Sequence, residues 1–142
     1  MAESINAQFE RIKQAFGTNE IPDVSEATIK IYCDYIKKNL ICPCLLTGIE
    51  TMGFFGWEER FEFGHGSVDE YEQMRQEEGS FQDIYELKDF DAIAHEWDIE
   101  VNVQRIPHHK KFTIPLSELQ SKDETSPNHQ LLNDYSVWRI NW

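Results

Sequence analysis

Apolar and polar residues alternate at period two in the stretch 97–119, where Ile99, Val101 and Val103 are separated by Glu100, Asn102 and Gln104. Successive side chains leave a pleated backbone on opposite faces, so this pattern predicts a half-buried strand. Phe112 and Ile114 predict a second, shorter strand. The residues between them, 106–110, are too polar and too few for anything but a connection, which makes the pair a hairpin. Pro115 has no N–H for a ladder and is expected to end the second strand or hold it at an edge.

Helical spacing governs the first forty residues. Ile5, Phe9, Ile12 and Phe16 recur at steps of four, three and four, which predicts a helix over 4–16 with Ser4 as its cap and Gly17 as its stop. After a loop at 18–24, Ser25 is expected to cap a second helix reaching about Leu40, with Ile29, Tyr32, Cys33, Ile36 and Leu40 on its buried face. Tyr32 and Tyr35 read as packing residues. Pro43 makes 41–46 an edge strand or an extended connection, and Thr47-Gly48 reads as a turn.

The middle of the chain mixes glycines with aromatic residues. The alternation at 60–63 predicts a strand with Phe61 and Phe63 inward. Ser67 followed by Glu70 predicts a capped helix to about Glu77, and Ser80 followed by Asp83 predicts a further short helix carrying Ile84 and Leu87. Residues 88–96 read as a mixed connection. Ser126-Pro127-Asn128 reads as a turn, and the last residues, with Trp138, Ile140 and Trp142 on one side, read as a strand docked on the body of the fold.

Composition fits one domain over 1–142 with a substantial core, since 40% of its residues are hydrophobic and 18 are aromatic (nine Phe, five Tyr, four Trp). No apolar run nears the roughly 18 residues a spanning helix needs, and the start lacks the apolar centre of a signal peptide, so a cytoplasmic location is expected. Cys33, Cys42 and Cys44 have neither the spacing nor the partner pair of common zinc sites and read as buried free thiols.

Charge changes the picture most. The net charge is −13, and the stretch 50–100 alone holds 16 acids against three bases, while the rest of the chain is balanced. Such a field repels nucleic acid and anionic membranes and attracts cations or a basic protein partner. The sequence carries no GxGxxG, P-loop, HExxH or GxSxG signature. His108 and His109, as neighbours in an extended chain, point apart. Calcium is the sharper chemistry, because a hard cation wants several carboxylate oxygens, and closely spaced acids such as Asp89, Asp91, Glu96 and Asp98 offer them. No EF-hand loop is present.

The tail 110–142 carries Pro115-Leu116, Leu119, Ser126-Pro127-Asn128, Gln130-Leu131-Leu132, Asp134-Tyr135 and Val137-Trp138. In these residues it resembles the C-terminal signature of the small acidic calcium-binding proteins of cyanobacteria and related uncharacterised bacterial proteins. The segment 32–43 resembles that family's helix and its lead into the sheet. The resemblance implies a compact α+β protein with a small barrel-like sheet that binds calcium for buffering or signalling. The central stretch 48–87 departs from it, being longer than in the compact members, and no family ligand carries over to it.

The sequence therefore predicts an α+β fold, with N-terminal helices packed on a small, curved, mainly antiparallel, barrel-like sheet. Its expected function is non-enzymatic calcium binding through Asp89, Asp91, Glu96 and Asp98. Two other readings stay open: an inhibitor- or immunity-like interaction module that turns its acidic face to a basic protein, and an enzyme with an unrecognised carboxylate pair.

Overall fold

The computed structural model describes residues 4–49, 55–58, 61, 64, 66–93, 98–107 and 109–142. Both N-terminal helices form where the apolar spacing places them. Helix α1 spans Ile5–Phe16; the Ser4 hydroxyl accepts from the Ala7 amide at 3.2 Å, and Gly17 ends the helix with φ +66°. Helix α2 spans Glu26–Asn39, and Ser25 and Thr28 cap it reciprocally. Each such cap supplies about 1 kcal/mol by satisfying amides that have no helical partner. Helix α3, Val68–Glu77, starts at Ser67 as expected but has no fully buried residue, so it lies along the surface.

The sheet differs from the expectation in its members. Its strands are β1 Leu45–Gly48, β2 Ile84–Ile93, β3 Ile99–Ile106, β4 Lys111–Pro115 and β5 Leu119–Ser121. The predicted β3–β4 hairpin is present, with Val101 opposite Ile114 and Val103 opposite Phe112. The short helix expected after Ser80 and the described part of the connection expected at 88–96, residues 88–93, are instead a turn leading into the long strand β2, and residues 94–96 lie outside the described residues. Asp83 accepts from the Ser80 amide at 3.1 Å, so the Ser–Asp spacing that resembled a helix cap closes a turn. Thr47 and Gly48 are not a turn but the end of β1, an interior strand paired to both β2 and β5. Of the strand expected at 60–63 only Phe61 is among the described residues, and it is not in a strand; the rest lies outside them.

The chain also ends in a helix, not a strand. Helix α4 spans Pro127–Asn141, with Ser126 as cap and Pro127 in its first turn. Leu132, Tyr135 and Trp138, three apart, form its buried face, while Ile140 is 73% exposed. The alternation at 138–142 was the shorter of two overlapping periods, and the longer one governs the backbone.

All pairings in the sheet are antiparallel, in the order β4-β3-β2-β1-β5. Strands β4 and β5 are edges and do not pair with each other, so the sheet is open and the expected barrel does not close. One face carries Leu46, Tyr85, Val101, Val103, Ile114 and Leu119 into the core. Helices α1, α2 and α4 close that core around an aromatic cluster of Phe16, Tyr32, Tyr135 and Trp138, with ring centroids 5.1–6.1 Å apart. Asp134, 4% exposed, pins α1 to α4 by accepting from Arg11 Nε at 2.8 Å and Nη2 at 2.9 Å and from Gln8 Nε2 at 3.0 Å. The opposite face is polar, with Asp89, Asn102 and Thr113 linked by hydrogen bonds across three strands. An antiparallel sheet tolerates one wet face. No described helix is long and apolar enough to cross a membrane.

Gly48 positions the excursion between β1 and β2. A Cβ there would lie 2.5 Å from Phe81 Cα and 2.7 Å from the Phe55 ring, so only glycine lets residues 55 and 81 close over the strand end.

Candidate functional site: a pocket over Glu58

The four acids expected to hold calcium do not converge. Asp89 is exposed on the polar face and accepts from Asn102 Nδ2 at 2.5 Å; Asp91 is exposed on β2. Glu96 lies outside the described residues. Asp98 is 3% exposed and turns to α4. Its Oδ1 accepts from the Ile99 amide at 2.8 Å and the Tyr135 hydroxyl at 2.6 Å; its Oδ2 accepts from the Ser117 hydroxyl and sits 3.3 Å from Arg139 Nε. Asp98 precedes Ile99, while Asp89 pairs with Asn102. The two acids are thus four strand positions apart, roughly 13 Å, and one faces solvent while the other faces the core.

Among the described residues, no group of three or more His, Cys, Asp or Glu side chains is placed to hold a metal ion. Calcium, as function and as cofactor, is therefore overturned: the Asp98 oxygens accept from protein donors, and the exposed acids Asp89 and Asp91 are not joined by others into a ligand cluster. The ion pairs that are seen, Arg11–Asp134, Arg75–Asp83, Arg105–Asp83 and Arg139–Asp98 among them, lie within the chain and give no evidence for an external basic protein partner. The thiols are free, with Cys33 and Cys44 buried and Cys42 exposed; burial pushes the Cys44 thiol up to about 11.

The geometry points elsewhere. Gly56–Glu58 forms one 3-10 turn that drives Glu58 under the start of α3, leaving it 4% exposed. Its Oε1 is buried and has no hydrogen-bond partner among the described residues. Buried polar atoms are almost always paired, and an orphaned carboxylate oxygen calls for an explanation. Glu58 lines a pocket of about 370 Å³ together with Phe61, Ser67, Val68, Tyr71 and Gln82. That is the lower end of the roughly 300–1,000 Å³ range of small-molecule sites. Phe61, Tyr71 and Trp57 pack as an aromatic wall, with centroids 5.3–6.2 Å apart, and the Trp57 indole N–H donates to the Gly79 carbonyl at 2.7 Å.

A second cleft, about 770 Å³, continues along α3 past Tyr71, lined by Arg75, Gln76, Asp83, Arg105 and Lys110 among others. Here Arg105 staples the end of α3: its Nη1 donates to the Arg75 and Glu78 carbonyls at 3.1 Å and its Nη2 to the Gln76 carbonyl at 2.8 Å. Cations suit this negative helix end. Arg75 donates to Asp83 at 2.7 Å. Burial works against the Arg75 charge, but the bond to Asp83 and the charges of Asp83 and Glu58 outweigh it and raise its pKa. Burial, helped by Asp83, also pushes the Tyr85 hydroxyl up; it donates to the Ser80 carbonyl at 2.8 Å.

In the sequence Glu58 was one of the sixteen acids of the stretch 50–100. A carboxylate flanked by Gly56-Trp57 was the available signal, but its burial depends on α3 and β2 closing over it. No protein-family model, curated protein or solved structure matches the chain. The assignment of function therefore rests on the site itself.

Proposed function

We propose that this protein is a ligand-binding module whose pocket takes a compact organic cation, a primary ammonium, guanidinium or methylated amine, against Glu58 and the Phe61–Tyr71 wall. The observation that carries this reading is the buried, unpartnered Oε1 of Glu58 in a pocket walled by aromatic rings. A buried carboxylate oxygen without a partner is costly, and a cation that enters beside it removes the cost. Aromatic faces attract cations in the same way, by about 0.5–2 kcal/mol each. The net charge of −13 raises the local concentration of any cation. A paired-carboxylate mechanism has less support, because the described lining of this pocket holds one carboxylate, Glu58. A cytoplasmic setting is part of this proposal, as three free thiols suit a reducing compartment.

The test is titration with butylamine, butylguanidine and tetramethylammonium, alongside butanol as the neutral control, followed by the indole N–H resonance of Trp57. Saturable shifts with the cations, weak or absent shifts with butanol, and loss of the response in Glu58→Gln are the expected result. Equal response to butanol, or no saturation by any cation, overturns the reading.

A further inference from the structure

Two buried polar atoms of opposite character, without partners among the described residues, belong to side chains that line two pockets sharing Tyr71. Glu58, whose Oε1 is an acceptor on an anion, lines one pocket with Tyr71, and Arg105, whose Nε is a donor on a cation, lines the other with it. Tyr71 lines both the Glu58 pocket and the Arg105 cleft, and the adjacent residues Gln82 and Asp83 line one each. Helix α3 runs along both, presenting Ser67, Val68 and Tyr71 to the first and Tyr71, Arg75 and Gln76 to the second. Tyr71 and Arg75 are four residues apart, so the two subsites are offset by about 6 Å along the helix axis. In a chain of net charge −13, the second subsite collects three cations, Arg75, Arg105 and Lys110, against Asp83 and Glu72. Capping of α3 accounts for Arg105 Nη1 and Nη2 but leaves its Nε unpaired.

We infer that the ligand has two charged ends: a cation held at Glu58 and an oxyanion, carboxylate or phosphate, held at Arg75 and Arg105, with a short chain crossing Tyr71. This rests on the cation reading of the Glu58 pocket and names the class of ligand within it. A single molecule of this kind meets both unsatisfied groups at once. Linking the two ends makes the second contact intramolecular, which raises affinity without any new contact.

The experiment titrates the wild-type protein with ω-amino carboxylates of about three to eight carbons, and with the plain amine and plain carboxylate of each length, reading Kd from the Trp57 indole N–H shift. A chain of about four to six carbons is expected to bind at least tenfold tighter than its amine, as the offset along α3 requires. Lys110→Gln should reduce that gain while leaving the amine's Kd unchanged; Arg75→Gln should also reduce it, while loss of a cation near Glu58 leaves the amine's own binding equal or tighter, and dispersed spectra report that each variant is folded. ω-Amino phosphonates run in the same series distinguish a phosphate-like end from a carboxylate. Saturable amine binding with no gain from either oxyanion at any length overturns this inference and leaves the cation pocket standing. Absence of amine binding overturns the pocket and the inference together.

Discussion

Replacing Glu58 with methionine tests whether this residue is kept for binding at a cost to the fold. Methionine matches the length and flexibility of the side chain and removes the charge. In the native protein Oε1 is buried without a partner and the residue is 4% exposed. Leaving a buried polar group unpaired costs about 1–3 kcal/mol, more when it is charged. Against this gain stands the loss of a favourable charge near Arg75. That side chain is 30% exposed and keeps Asp83 at 2.7 Å, so solvent screening holds the loss to a fraction of about 1 kcal/mol. Glu58→Met should therefore stabilise the protein by about 1–2 kcal/mol. With a urea m-value of about 2 kcal/mol/M, the unfolding midpoint rises by roughly 0.5–1 M with m unchanged. The assay is urea unfolding followed by far-UV circular dichroism and by tryptophan fluorescence, with coincident curves required. Butylamine at saturating concentration should raise the wild-type midpoint through RT ln(1 + [L]/Kd) and leave the variant's where it is. A midpoint that falls by more than about 0.5 M at constant m would show that Glu58 holds the fold together. Glu58 would then be an anchor between the 3-10 turn and Arg75, and its missing partner would carry no functional meaning.

Asp98→Ala removes the buried acceptor of the Tyr135 and Ser117 hydroxyls and the carboxylate beside Arg139, so a loss of about 3 kcal/mol is expected in the same urea assay; a loss below about 1 kcal/mol contradicts its structural role. Gly48→Ala places a methyl group 2.5 Å from Phe81 Cα, backbone that cannot yield as a side-chain tip would, and should cost about 3 kcal/mol; an unchanged Tm would show that the excursion over β1 is not closely docked. Alkali should destabilise the fold. Burial raises the Cys33 and Cys44 thiols and the hydroxyls of Tyr32, Tyr85 and Tyr135 above their ordinary values, Cys44 to about 11. For groups raised on folding, the stabilising contribution is complete below the unfolded pKa, near 9 for a thiol, and is lost as pH climbs through the folded value. Urea midpoints should thus be level up to about pH 9 and fall steadily to pH 11, and a level profile across that window would oppose this account.

The sequence by itself determined the elements whose signal is local. Apolar spacing, Ser4, Ser25 and Ser67 as caps, and Gly17 as a stop specify three helices within a residue or so, because capping and amphipathicity are properties of a single segment. The β3–β4 hairpin followed from alternation plus a short polar connection. Where two periods overlapped, the local signal misled: Trp138, Ile140 and Trp142 alternate like a strand, but Leu132, Tyr135 and Trp138 face a core that only α1, α2 and the sheet together create. Ser80 and Asp83 serve a turn as well as they would serve a helix, and β2 forms because β1 and β3 offer it hydrogen bonds on both sides. The candidate site lay further still from the sequence. Sixteen acids between 50 and 100 look alike in a string of letters. Burial separates them, placing Asp98 among donors, Asp89 in water and Glu58 beneath α3 with an oxygen unmet. A carboxylate's chemistry depends on which donors and how much water surround it, and residues distant in the chain supply both, so tertiary structure alone decided which acid matters.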